Sequence, residues 1–434
     1  MHVQPQPMTT VPAHAIRGEI SVPGDKSISH RSIMLGSLAN GTTVITNFLR
    51  GEDNYATMQA FLAMGVPIED DGCSVTVRGV GLHGLQEPGD LLDCGNSGTT
   101  IRLMTGLLSG QSFFSILTGD QYLRKRPMKR VSEPLRRMGA QIAGRAGGTL
   151  APLAITGAKL SGIRYESPIA SAQVKSALML AGLYAEGETS ISEPTLSRDH
   201  SERMFRYFGA DLETGSASVT LRGGQELQGR EIRVPGDISS AAFFLVAALI
   251  VPGSELLIRN VGVNPTRTGV IDILTAMGGD ITLQDQRELS GEPVADLLVR
   301  SSRLKGIEIS GELVPRAIDE FPAICVAAAL AEGTTVLRDA HELRVKETDR
   351  IAAMAANLRK VGSGMVEETE DGMIIQGVET LAGGAVTSFG DHRIAMSLSV
   401  AALACRSKVT LDDVSCVATS FPGFFELLDT VAVR

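Results

Sequence analysis

The chain has 434 residues, with 40 Lys and Arg against 49 Asp and Glu, giving a formal net charge of −9. Its 43% apolar and 21% charged residues exclude the disordered class, which combines low hydropathy with high charge, and at roughly 100–200 residues per domain the length predicts two or three domains. The acidic balance, with no Lys/Arg block among aromatics, argues against a nucleic-acid surface.

In chain order, the opening MHVQPQPMTTVPAHAIRG lacks the basic and apolar regions of a signal peptide. From Gly18, GEISVPGDKSISHRSIMLGSLANGTTVITN predicts a strand, a polar loop, a small-residue helix, a glycine turn and a second strand. YATMQAFLAMGVPIEDDGCSVTVRG then predicts an amphipathic helix and two strands, because apolar positions recur at helical spacing before the glycine and alternate after it. Gly79 to Gly84 matches GxGxxG but follows a strand instead of opening a helix, so these are turn glycines. The same grammar returns in LLDCGNSGTTIRLMTGLLSGQSFFSIL and YESPIASAQVKSALMLAGLYAEGETSIS, then in GREIRVPGDISSAAFFLVAALIVPGSELLIRN and GIEISGELVPRAIDEFPAICVAAALAEGTTVLRD. A sixth copy, VTSFGDHRIAMSLSVAALACRSKVTLDD, is cut short at SFPGFFELLDTVAVR. The longest apolar run, from Ala241 to Val251, is only about half the roughly 20 residues that span a bilayer and predicts a buried helix.

Six βαβαββ units spaced by roughly 65–80 residues predict an α/β protein of two domains, three units in each. Helices rich in Ala, Ser and Gly suit the interior, with sheets outside. VPGD recurs at Pro23 and Pro235 and marks the crossings: residues 1–23 and 236–434 form one discontinuous domain, and 24–235 an inserted one. Five cysteines (Cys73, Cys94, Cys325, Cys405, Cys416), odd in number and without a CxxC pair, disfavour a disulfide framework or a zinc site and point to the cytoplasm.

The polar loops before the first helices carry GDKSISHR, GNSGTT, SAQVK, GDISS, RAIDE and GDHR; those before the second helices add KRPM, SRDHSER and KETDR. Helix N-termini present unpaired N–H groups and the positive end of the dipole, so equivalent loops of this kind, facing one cleft, would trap anions. Lys26, Arg31, Arg126, Lys346, Arg350 and Arg393 add local positive charge, and Arg suits two-point recognition of carboxylate or phosphate. Taken singly, these residues also fit ordinary caps, and Arg344 to Arg350 fits a solvated helix face with i,i+3 ion pairs.

With PGDKSISHR, GNSGTTIRL, KRPM, SAQVKSALMLAGL, SRDH, RVKETDR and GDHRIAM in view, the chain resembles the 5-enolpyruvylshikimate-3-phosphate synthases over essentially its full length. The resemblance implies a two-domain inside-out α/β barrel of six βαβαββ repeats with the active site in the interdomain cleft. It also implies transfer of the enolpyruvyl group of phosphoenolpyruvate (PEP) to the 5-hydroxyl of shikimate 3-phosphate, with release of phosphate, on the chorismate route to aromatic amino acids. It implies Glu347 as acid, Asp319 as base and Lys26 assisting proton transfer. Lys26, Asn96, Gly98, Arg126, Gln173, Arg350, His392 and Arg393 match positions that hold PEP. Lys26, Ser27, Arg31, Ser171, Ala172, Gln173, Ser197, Asp319 and Lys346 match positions that hold shikimate 3-phosphate. No metal or organic cofactor is expected, and no membrane or nucleic-acid partner; the expected state is a monomer. Ala172 stands where some members have a second Ser, Thr419 where some have Lys, and Leu103 where others have Pro. Alternatives are the sister enzyme acting on UDP-N-acetylglucosamine, whose mobile-loop Cys has no counterpart from Gly119 to Pro127, an RNA-end cyclase of related architecture, and a non-catalytic anion sensor.

Overall fold

A computed structural model describes residues 5–434. The chain divides into two compact units: an inserted unit, Gly24–Val234 with Leu289–Glu292, and a discontinuous unit, the described residues up to Pro23 with Pro235–Glu288 and Pro293–Arg434. Each has its own apolar core. Three buried helices supply much of each core: Lys26–Leu38, Gly98–Ser109 and Ala172–Gly182 in the inserted unit, and Ile238–Ile250, Phe321–Ala329 and His392–Leu403 in the discontinuous one.

The Ile238–Ile250 helix is inside because its sequence leaves no polar face to turn outward. In ISSAAFFLVAALI every residue from Ile238 to Leu249 is buried, the pattern of a helix enclosed on all sides. Ser32 bonds back one turn to the Ile28 carbonyl at 2.8 Å, Thr105 to Ile101 at 2.6 Å and Ser399 to Ala395 at 3.0 Å, so burial leaves these three hydroxyls satisfied. Gly106 lets two helices touch: a Cβ there would lie 2.0 Å from the Ala177 carbonyl oxygen.

Each unit carries three sheets built on one rule, a first strand parallel to the second and a hairpin that continues antiparallel. Leu92–Asp93 runs parallel to Phe114–Thr118, which pairs antiparallel with Leu150–Thr156, and that strand with Gln141–Gly144. The rule repeats in Arg164–Glu166, Glu188–Ser192, Ser218–Arg222 and Leu212–Thr214, and in Glu308–Ile309, Thr334–Leu337, Met373–Gln376 and Val366–Glu368. This is the two-domain inside-out α/β architecture.

The two VPGD copies depart from the linear reading. Ala15–Ser21 leads into the Lys26–Leu38 helix yet pairs parallel with Glu255–Gly262 of the discontinuous unit. Glu231–Arg233 leads into the Ile238–Ile250 helix yet pairs parallel with Ala39–Thr46 of the inserted unit. Strand and helix that read as one repeat therefore belong to different units, exchanged where the chain crosses. In the shortened sixth copy, Gly384–Val386 pairs parallel with Val409–Leu411, and Met8–Thr10 lies antiparallel along the other edge. Among the described residues no helix is long and apolar enough to cross a membrane.

Candidate active site

In the inserted unit the polar loops do open the buried helices. Asp25 caps the first, its carboxylate accepting from the Ile28 N–H at 2.9 Å, and so places Lys26 at the first helical position. Lys26 forms an ion pair with Asp53, and its carbonyl accepts from Asn54 Nδ2 at 3.1 Å. One turn on, Arg31 is 5% exposed and donates to Ser201 Oγ and Ser176 Oγ, both at 2.7 Å, and to the Ser27 carbonyl at 2.9 Å. Burial pulls its guanidinium down to about 10, against the pull of Asp25 and Glu202. His30 is buried against Thr57, Nδ1 to Oγ1 at 2.7 Å, and burial reinforced by the charges of Lys26 and Arg31 holds the imidazole well below its ordinary value.

The second helix starts at Gly98, capped by Ser97, whose hydroxyl accepts from the Thr100 N–H at 3.1 Å. A Cβ at Gly98 would lie 2.9 Å from Arg102 Nη1 and 3.1 Å from Arg126 Nη1, so the glycine sits where two guanidinium ends converge. Arg126 Nη2 donates to Asn96 Oδ1 at 2.7 Å, and Asn96 Nδ2 to Asp120 Oδ2 at 2.7 Å. Arg102 Nη1 donates to Gln173 Oε1 at 2.6 Å, and Gln173 Nε2 to Thr99 Oγ1 at 3.1 Å. Asn96, Gly98, Arg126 and Gln173 are thus gathered around Arg102, which the loop reading passes over; its position one helical turn after Gly98 was the available signal.

The third helix begins at Ala172 behind its cap Ser171, and the Ala172 carbonyl accepts from Ser176 Oγ at 2.5 Å. The Ser171 N–H donates to Glu193 Oε1 at 2.8 Å, and Ser197 Oγ donates to Glu193 Oε2 at 2.8 Å. Lys175 ion-pairs with Glu193 at 3.0 Å and Glu202 at 2.7 Å. Burial pushes the Glu202 carboxyl up, opposed by Lys175.

In the discontinuous unit the segment Arg344 to Arg350 is not a helix face. A 3₁₀ turn, His341–Val345, gives way at Lys346 to extended backbone, and the helix Arg350–Lys360 starts only after Asp349, which caps it by accepting from the Ala352 N–H at 3.0 Å. Lys346 and Glu347 therefore lie on a loop, and Arg350 turns inward, 2% exposed. Its Nη2 reaches Glu347 Oε2 at 2.6 Å, its Nη1 Asp319 Oδ1 at 3.5 Å and its Nε Asp391 Oδ2 at 2.8 Å. Burial opposes its charge, but Asp391, Glu347 and Asp319 outweigh that and hold the guanidinium above its ordinary value. Lys346 Nζ stands 3.4 Å from Asp319 Oδ1, and Arg393 Nη1 donates to the Asp319 carbonyl at 3.0 Å. Asp391 caps the helix His392–Leu403 by accepting from the Arg393 N–H at 2.8 Å, which puts His392, itself buried, and Arg393 at the first two helical positions. Asp319, Lys346, Glu347, Arg350 and Arg393 are brought together, with Asp391 as the member outside the expected set. Chemically this is a cluster of three cations and three carboxylates, able to bind an anion and to give or take a proton.

A model of the family described as EPSP synthase (3-phosphoshikimate 1-carboxyvinyltransferase) matches residues 11–428. The chain is 71% identical to a 3-phosphoshikimate 1-carboxyvinyltransferase of Geobacter metallireducens, covering 99% of this chain and 100% of the relative, and 70% identical to that of Geobacter sulfurreducens, covering 98% and 99%. It is similar in structure to an EPSP synthase from Acinetobacter baumannii, with a TM-score of 0.89 at 51% identity and 99% of each chain covered.

Proposed function

The chain belongs to the EPSP synthase family, transferases that move the enolpyruvyl group of PEP to the 5-hydroxyl of shikimate 3-phosphate with release of phosphate, and on that premise we propose how its own residues divide the work. Glu347 gives a proton to the methylene carbon of PEP while the 5-hydroxyl oxygen bonds to the phosphate-bearing carbon and Asp319 takes the hydroxyl proton. In the tetrahedral adduct the roles reverse. The methyl carbon returns a proton to Glu347, the bond to the phosphate oxygen breaks, and Asp319 protonates the departing phosphate. Lys26, Arg126, Arg350 and Arg393 hold PEP, with Asn96, Gly98, Gln173 and His392 shaping its place. Ser27, Arg31, Ser171, Ala172, Ser197 and Lys346 hold shikimate 3-phosphate.

The observation that carries this division is Arg350, a buried guanidinium bonded through separate nitrogens to Asp319, Glu347 and Asp391. Asp319, Glu347 and Asp391 balance Lys346, Arg350 and Arg393, three charges against three. The net charge of −9 supports small anions held by local basic groups over a nucleic-acid partner, and we place the reaction in the cytoplasm, carried out by a monomer. Mixing the purified protein with PEP and shikimate 3-phosphate should release inorganic phosphate, whereas UDP-N-acetylglucosamine as acceptor should release none. Absence of release with shikimate 3-phosphate would refute the reading.

A further inference from the structure

One buried charge group of the inserted unit takes no part in these steps. The side chains of Lys175, Glu193 and Glu202 are 2%, 2% and 5% exposed, and carboxylates so far from water require partners. Glu193 has them on both oxygens. Oε1 accepts from the Ser171 N–H at 2.8 Å; Oε2 accepts from the Ser197 N–H at 3.3 Å and from Ser197 Oγ at 2.8 Å, and it faces Lys175 Nζ at 3.0 Å. Lys175 Nζ also donates to the Ser197 carbonyl at 3.4 Å and pairs with Glu202 at 2.7 Å. One carboxylate thereby ties the cap of the Ala172–Gly182 helix to the Ser197 loop, the two segments whose serines are assigned above to shikimate 3-phosphate.

Resting on that substrate reading, we propose that Glu193, fixed by Lys175, is the positioning residue of the 3-phosphate subsite, holding Ser171 and Ser197 at the spacing a single phosphate group spans. A phosphate dianion accepts hydrogen bonds, so on binding the Ser197 hydroxyl hydrogen turns from Glu193 to a phosphate oxygen. The backbone bonds from Ser171 and Ser197 to Glu193 persist through this turn and keep both serines in place. Lys175 offsets the charge of Glu193, which lets a dianion sit near a carboxylate.

The test uses the full-length chain and titration calorimetry with two ligands, shikimate 3-phosphate and shikimate, which lacks the phosphate. Glu193→Gln should bind shikimate 3-phosphate roughly ten-fold more weakly, the size of one lost charge-assisted hydrogen bond, while shikimate affinity and kcat at saturation change by less than about two-fold. A loss shared equally by both ligands, accompanied by a fall in Tm, marks a merely structural role and overturns the proposal, as does an unchanged affinity for shikimate 3-phosphate. In a cycle with Ser197→Ala the two losses should be non-additive, because Glu193 acts through that serine; additive losses would contradict it. If Glu193→Gln proves too unstable to purify, Glu193→Asp, which keeps the charge but is too short to span both segments, should give the same split between ligands. Failure of the wild-type chain to bind shikimate 3-phosphate refutes the substrate reading itself, whereas equal binding by wild type and variant refutes only the positioning role.

Discussion

Arg350 meets Asp319 and Glu347 at different nitrogens, so the two carboxylates assigned opposite proton roles are fixed by one buried cation. Glu347→Gln keeps the shape and a hydrogen-bonding group toward Arg350 but has no proton to transfer. We expect kcat to fall by roughly 10²–10⁴ while calorimetric affinity for shikimate 3-phosphate stays within about two-fold. Gly98→Ala acts differently. Its Cβ would crowd the ends of Arg102 and Arg126, flexible groups that can yield, so the protein should fold and pay in ligand fit instead: KM for PEP should rise by roughly ten-fold with a smaller change in kcat. Lys26 and Arg393 were legible as candidates because polar loops interrupt the chain ahead of small-residue helices, and Arg126 because KRPM interrupts it ahead of the charged helix Lys129–Arg137. Lys175 and Glu193 were not, since a lysine within a helix and a glutamate after a strand are unremarkable until folding places them against each other in the interior.

At the scale of elements, the inner helices depend on close approach. Gly106→Val would drive a side chain into the backbone of the Ala172–Gly182 helix, where the neighbouring atom is a carbonyl oxygen that cannot rotate away; we expect a loss of about 1–3 kcal/mol or more, read as a lower midpoint in urea unfolding. A second dependence is electrostatic. His30, Thr57, Thr100 and Ser97 form a buried chain of contacts at 2.7 Å each, and His30 is held neutral there. Its folded value lies below the unfolded 6.5, so the unfolded chain binds more protons and stability is lost as pH falls below about 6.5. In His30→Asn that limb should be shallower by up to roughly 1.4 kcal/mol per pH unit, measured by urea unfolding between pH 7.5 and 5.5. Periodicity made these helices and hairpins readable, and the VPGD crossings assigned Ala15–Ser21 and Glu231–Arg233 to their units, but not the strand each one pairs with. A strand's own sequence fixes which face it buries but not which distant edge it joins.

For the whole molecule, the exchange decides which piece of chain is a self-sufficient body. Because Glu231–Arg233 completes the sheet begun by Ala39–Thr46, residues 24–234 contain every strand of their three sheets and a single apolar core in one continuous stretch. Cutting there removes from the unit only Leu289–Glu292, and with it the His200 to Glu292 contact at 2.7 Å, the bond from the Arg233 N–H to Ser290 Oγ at 3.0 Å and that from Arg203 Nη1 to the Gly291 carbonyl at 3.4 Å. These few polar contacts are a small fraction of the stabilisation in a core of this size, since each net hydrogen bond contributes about 1 kcal/mol and each buried large apolar side chain about 1.5–3 kcal/mol. The fragment 24–234, expressed alone, should therefore melt cooperatively by circular dichroism. It should also retain measurable binding of shikimate 3-phosphate, because Ser27, Arg31, Ser171 and Ser197 with their supports Lys175 and Glu193 all lie within it. It should release no phosphate from PEP, because Asp319 and Glu347 do not. A fragment ending at residue 228 loses Glu231–Arg233 and exposes the edge of Ala39–Thr46; its failure to melt cooperatively, beside success of 24–234, would show that the exchanged strand completes the unit, whereas equal melting of both fragments would contradict that.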